Sequence, residues 1–291
     1  MLSIIIVNYN AGDFLRNCIE SIYKETKGLS FDIWVVDNNS FDNSINKIKN
    51  NFPDVNIIKN TRNVGFAKAN NIAMLKTNTD YILMLNPDTL IKQNAIGKTV
   101  KFMEENSKIG ISGCKVLNED GTLQLASRRS IPTPKIAFWR LTGLSLLFPK
   151  SKAMAKYNLT YLNPNKPNEV DAVSGAFLMI RKNVINEIGI LDEDFFMYGE
   201  ELDLCFRAKK AGWSVMYYPH AEIIHYKGEC SKFNSRRATL EFYRAMYLFH
   251  KKHYAKRQSI IINSIIYTGI FLKALCSWKS LLFFTKVGSK R

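Results

Sequence analysis

Between residues 2 and 88, four short apolar runs are separated by three stretches of helical spacing, and this alternation leaves few folds open. "LSIIIVNYN" is a β-branched run with a polar end. Residues 11–24 place Phe14, Leu15, Cys18, Ile19 and Ile22 on one helical face. "FDIWVVDNNS", "VNIIKN" and "YILMLNPD" read as further strands, with a weak helix over 41–50 and a helix over 65–75 entered through "TRNVGF". The pattern predicts right-handed βαβ units and a mainly parallel central sheet flanked by helices, an α/β fold.

After residue 100 the rhythm changes. "IGISGCKVLNEDGTLQLASRR" reads as two short strands around an Asp120-Gly121 turn. Residues 130–168 hold five of the eight prolines and read as irregular around the apolar "IAFWRLTGLSLLF". "VDAVSGAFLMIRK" reads as a strand and "YGEELDLCFRAKKAG" as a helix closed by Gly212. "WSVMYYP" and "AEIIHYKG" read as a strand and its continuation, and 236–256 as a basic helix rich in Tyr and Phe.

Three strands end in polar tips: Asn8-Tyr9-Asn10, Asp37-Asn38-Asn39-Ser40 and Asn86-Pro87-Asp88. Open α/β sheets bind ligands beyond the carboxyl ends of their strands, so the tips are candidates for one site. Asp88, fixed by a proline at a buried strand's end, suits Mg²⁺ or Mn²⁺ together with substrate phosphates; it equally suits a simple turn. Asp37 suits a hydrogen bond from a nucleobase or ribose, or an Asx turn. Gly65 at a helix mouth, with Arg62 before it, suits a phosphate, although neither GxGxxG nor GxxxxGK[ST] is present and a lone Arg is commonly a surface residue. Glu200, Glu201 and Asp203 start a helix, which favours its dipole; the same carboxylates could supply a general base. His225, followed by Lys227 and Gly228, reads as a structural histidine or as a metal or diphosphate ligand.

Read together, "SIIIVNYN", "VVDNNS", "NVGFAKANN", "LMLNPDT", "VSGAFLMIRK", "FFMYGEELDLCFR" and "IIHYKG" resemble glycosyltransferase family 2, inverting transferases of GT-A fold, over roughly residues 1–250. The flavour is similar to rhamnosyltransferase-type members that build bacterial surface polysaccharide. The resemblance implies that Asp37 contacts the nucleobase. It also implies that Asn86-Pro87-Asp88 replaces the family's Asp-X-Asp motif, with Asn86 departing from two carboxylates, and that Asp88 and His225 hold a divalent cation. Glu200-Glu201 stands at the family's Glu-Asp pair. By position Glu201 is the base, with Glu200 and Asp203 as alternatives. The implied donor is dTDP-rhamnose or a UDP-hexose, and the acceptor is lipid-linked or an oligosaccharide.

The net charge is +16, of which residues 227–291 contribute +12, from 14 Lys/Arg and two acids. This predicts a catalytic domain over 1–228 and a basic helical extension over 229–291. Residues 259–272 carry no charge, and Lys273 interrupts the apolar run. The expected partner is an anionic membrane surface rather than nucleic acid, with the helix lying in the interface at the cytoplasmic face or, as the alternative, anchoring the chain as a tilted span that tolerates Lys273. Five widely spaced cysteines without a CxxC pair fit a reducing compartment, and "LSIIIV" reads as a strand rather than a leader. Two other readings are a sugar-nucleotide nucleotidyltransferase, whose glycine-rich first loop is missing, and a non-catalytic membrane scaffold of the same fold.

Overall fold

The computed structural model describes residues 1–226 and 235–288. β1 (Leu2–Asn8), α1 (Asp13–Glu25), β2 (Phe31–Asp37), α2 (Ser44–Asn51), β3 (Asn56–Lys59), α3 (Phe66–Met74) and β4 (Tyr81–Leu85) follow the alternation read from the sequence. Then come β5 (Thr89–Lys92), α4 (Ala95–Glu104), β6 (Ile109–Leu117), β7 (Arg128–Arg129), α5 (Pro134–Leu141), α6 (Leu144–Leu147), β8 (Asn168–Glu169), β9 (Ala172–Val173) and β10 (Phe177–Arg181). The chain continues through α7 (Lys182–Ile188), α8 (Glu200–Lys210), β11 (Ser214–His225), α9 (Ser235–His253) and α10 (Ile260–Gly288).

The main sheet runs β3-β2-β1-β4-β10-β6-β11-β5, with β8 also on β11. Its first four strands are parallel, as is the β6–β11 pair. β10 is antiparallel to both neighbours, and β5 and β8 are antiparallel to β11. The sheet is therefore parallel in its first half and mixed in its second. β1 and β4 are buried along their whole length, which explains their unbroken apolar runs. Their side chains alternate between two cores. Ile5, Met84 and Leu178 pack towards α3, α8 and α9, while Ile4, Ile6, Leu83 and Phe177 pack towards α1 and α4.

Three expectations change. The strand after Asp120-Gly121 is only an isolated Leu117–Leu123 bridge before a 3₁₀ turn and the two-residue β7, which pairs with β9. "VDAVSGAFLMIRK" is broken into β9 and β10 at Ser174-Gly175-Ala176. α9, placed in the extension, buries Ala245 and Phe249 in the core, whereas the apolar window of α10 is not buried. The expected boundary at 228/229, with Lys227 and Gly228, lies outside the described residues.

Candidate active site at the carboxyl ends of the central strands

At the tips of β1 and β2, Asn8 and Asp37 stand opposite each other in register. Asn8 Nδ2 lies 2.9 Å from Asp37 Oδ1, 3.0 Å from Ser40 Oγ and 2.9 Å from Ser44 Oγ. Asn10 sits at φ 53°. Its amide donates to Ser40 Oγ and its Oδ1 accepts from the Phe41 amide. A buried carboxylate needs donors, and Asn8 supplies one to Asp37. Asn8 and Asn10 are buried and knit the tip of β1 to the loop after β2, while Asn8 Oδ1 and Asn10 Nδ2 have no hydrogen-bond partner among the described residues. Tyr9 between them is half-buried.

At the α3 mouth the protein itself fills the space beside Gly65. The Phe66 amide, first in the helix, already donates to the Phe196 carbonyl at 2.7 Å. A Cβ on Gly65 would stand 2.7 Å from that same carbonyl oxygen, and φ is +93°. Gly65 is thus required for the close approach of the 196 segment. Arg62 is exposed.

The Asn86-Pro87-Asp88 tip is built differently. The Asn86 amide donates to the Ala176 carbonyl, and Thr89 Oγ1 donates to the Asn86 carbonyl at 2.7 Å, turning the chain straight into β5. β5 pairs with the end of β11, Thr89 opposite His225, and the Tyr226 amide donates to the Asp88 carbonyl. This pairing brings His225 Nε2 to 3.2 Å from Asp88 Oδ1 and 3.2 Å from Asn86 Nδ2. Gln124, which sequence reasoning missed, settles the imidazole's tautomer. Its Nε2 donates to the His225 carbonyl at 2.8 Å, so the oxygen is the atom 3.0 Å from His225 Nδ1. An amide oxygen only accepts, so Nδ1 carries a proton. In the neutral ring Nε2 accepts from Asn86 Nδ2, with Asp88 Oδ1 3.2 Å from the same nitrogen. Asp88 is 3% exposed, and its Oδ1 has no hydrogen-bond partner among the described residues. A buried carboxylate oxygen without a donor, beside an imidazole nitrogen, is an arrangement that a ring proton or a bound cation relieves.

The acidic helix start lies across one short loop. A side chain on Gly175 would begin 3.7 Å from Glu201 Cγ, and the adjoining Ala176 carbonyl holds Asn86. Glu201 Oε1 accepts from Arg129 Nη2 at 2.8 Å, and its Oε2 accepts from the Gly199 amide at 3.1 Å. Arg129, also missed, donates to the Val173 carbonyl as well. Glu200 is buried, and its Oε2 has no partner among the described residues. Burial, and then the neighbouring Glu201, push the Glu200 carboxyl well above the usual carboxylate range. Asp203 is a correction: it is not a free base. Fully buried, it meets Arg207 Nε at 2.7 Å, Lys252 Nζ at 2.7 Å and His253 Nε2 at 2.8 Å. Burial alone would raise its carboxyl, but bonds from His253, Lys252 and Arg207 outweigh that and hold it far below the usual range.

The family model for glycosyl transferase family 2 matches residues 3–189. The chain belongs to that family. This family 2 glycosyltransferase is 25% identical over 260 residues to an N-acetylglucosaminyl-diphospho-decaprenol L-rhamnosyltransferase of Mycobacterium tuberculosis, covering 86% of this chain and 83% of that one. It is 30% identical to the low-salt glycan biosynthesis hexosyltransferase Agl10 of Haloferax volcanii, over 77% of this chain and 66% of the relative. Its GT-A fold is shared with a mannosyltransferase of Pyrobaculum calidifontis solved with GDP-Man and Mn²⁺. There the TM-score is 0.58 at 15% identity, covering 98% of this chain and 75% of that one.

Proposed function

We propose that this glycosyltransferase moves a sugar, with rhamnose as the leading candidate, from a nucleoside-diphosphate donor to a lipid-linked acceptor with inversion, in surface polysaccharide synthesis. The observation that carries the reading is the Asp88–His225 pair, with Gln124 fixing the imidazole and the buried Asp88 Oδ1 without a hydrogen-bond partner among the described residues. Its donor set, one carboxylate oxygen and one neutral imidazole nitrogen, suits Mn²⁺ or Mg²⁺ with the remaining positions left to diphosphate and water. Asp88 and His225 would hold that cation, and when bound it supplies positive charge opposite the leaving diphosphate. Asn86 Nδ2, beside both, is a donor for a phosphate oxygen. Asp37 accepts from the nucleoside. Glu201, paired as a carboxylate with Arg129, takes the proton from the acceptor hydroxyl as that oxygen attacks the anomeric carbon. Glu200 keeps its own proton, because two adjacent buried carboxyls do not both ionise readily. The rhamnosyl choice and the lipid-linked acceptor are supported by the mycobacterial relative's name. Membership of family 2 sets the nucleotidyltransferase alternative aside.

Thermal unfolding with nucleotide sugars tests this. With ligand at a hundredfold excess over Kd, stability rises by about 2.7 kcal/mol, a Tm increase of about 5–10 °C. The increase should require Mn²⁺ or Mg²⁺ in the parent chain and lose that requirement, with most of its size, in Asp88→Ala. An unchanged metal-dependent shift in Asp88→Ala places the cation elsewhere.

The location we propose is the cytoplasmic face of the membrane, through α10. This single 29-residue helix has an 18-residue apolar window, Ile260–Ser277, none of which is buried. It packs along α9 by polar and aromatic contacts: His250 to Asn263, Tyr247 to Tyr267 and Tyr243 to Ser277. A helix crossing the bilayer could not keep a charged helix beside it for that length, so these contacts favour an in-plane position. The full chain should pellet with membranes and leave them with detergent. The variant Ile261→Ser, Ile265→Ser, Phe271→Ser should appear mainly in the soluble fraction, and its continued pelleting would assign attachment to another segment.

A further inference from the structure

Residues 121–168 contain eight Lys or Arg and no Asp or Glu. Six of those cations, Lys135, Arg140, Lys150, Lys152, Lys156 and Lys166, are exposed. Within the same stretch α5 and α6 form a short hairpin whose outer side chains are Phe138, Leu146, Leu147 and Phe148, 51–72% exposed. This is not a frayed loop. Pro134 occupies the first turn of α5, and the Thr133 hydroxyl accepts the Ile136 amide as an N-cap. Ile136 and Ser145 are buried beneath, and Thr160 Oγ1 ties down the Pro149 carbonyl. The fold thus fixes the underside and leaves four bulky apolar groups in water, in a stretch whose exposed charges are all positive.

Its place in the molecule matters. β7 leads into the hairpin, and its Arg129 grips Glu201 in the first turn of α8. That same end of α8 touches α9: Tyr198 meets the Phe242 ring, and Gly199 lies close to Ala245. α9 in turn carries α10 along its side. The hairpin and the exposed apolar helix therefore connect to the same short turn, the one that bears the acidic pair.

We propose that the α5–α6 hairpin is a second membrane contact, docking on an anionic lipid surface. Charge complementarity selects this occupant. A basic stretch without acids is drawn to an anionic leaflet within a Debye length, and its exposed apolar side chains then enter the headgroup boundary. With α10 it gives the domain two footings, and an acceptor head group in the membrane would be met beside Glu201; that last consequence rests on the transfer reading above.

Hydrogen exchange on the full chain, free and with phosphatidylcholine vesicles lacking or containing phosphatidylglycerol, tests it. Amides of residues 134–148 should slow on phosphatidylglycerol-containing vesicles and not on phosphatidylcholine alone. Two variants should each lower partitioning onto the anionic vesicles by more than about tenfold: Phe138→Ser, Leu147→Ser, Phe148→Ser, and Lys150→Glu, Lys152→Glu, Lys156→Glu. Both should keep the nucleotide-sugar thermal shift, which separates failure here from failure of the transfer reading. Unchanged exchange over 134–148 while α10 slows would overturn the proposal. So would slowing in vesicle-free protein that grows with protein concentration, since that assigns the face to a second copy of the chain.

Discussion

Glu201→Gln will lower sugar transfer by about 10²–10⁴-fold, whereas Glu200→Gln will keep most of it. The two carboxyls are adjacent, but their environments divide the roles. Glu201 is ion-paired to Arg129 beside the loop that holds Asn86, which puts the proposed base next to that tip. Glu200 is buried without a partner at Oε2 and retains its proton, which a glutamine amide imitates. Stability should report the same division. A raised carboxyl contributes stability that is complete below the unfolded value, about 4.3, and is lost as pH rises through the folded value. Glu200→Gln removes that loss, so its Tm should fall less than the parent's between acid and alkaline pH. Steady-state rates for both variants, with Tm measured against pH, are the test. An inactive Glu200→Gln beside an active Glu201→Gln would move the base to Glu200.

Asp203→Ala will cost about 3–5 kcal/mol of stability, because it strands cations arranged around one buried carboxylate. Arg207, Lys252 and His253 all converge on it, joining α8 to α9. Its folded carboxyl is held low, so this stabilisation is present above the unfolded value near 3.9 and lost as pH falls below it. Denaturant unfolding at neutral and acid pH should show the deficit at neutral pH shrinking in acid. An Asp203→Ala protein that is as stable as the parent but inactive would return this residue to the chemistry.

The strand tips were legible because a buried parallel strand must expose its polar groups somewhere, and Asn-Pro-Asp after "YILML" marked where. What makes that tip a site was not legible. β5 is only four residues long and follows a proline-containing turn, so "TLIK" has no room for a strand signal, yet it carries His225 to Asp88. Gln124 and Arg129 lie in a stretch read as a hairpin, and arginine is usually a surface residue, so nothing flagged a buried one. For Asp203 a signal was present: Arg207 stands four residues on, the spacing of a helical ion pair. Gly65 was read as a helix-mouth glycine; its real neighbour, Phe196, is distant in sequence.

The position of β10 has a consequence for how the chain is made. β10 lies between β4 and β6, yet it is translated after both. Until Phe177–Arg181 has left the ribosome, the flank of β4 facing away from β1 has no partner. "YILML" is apolar, uncharged and free of proline within the strand, the composition that pairs indiscriminately with other chains. At about 5–20 residues per second, that edge stays open for about 5–20 s of synthesis. Fragments ending before Phe177 should therefore aggregate through the middle of their own sheet, and chaperone cover matters most during this interval.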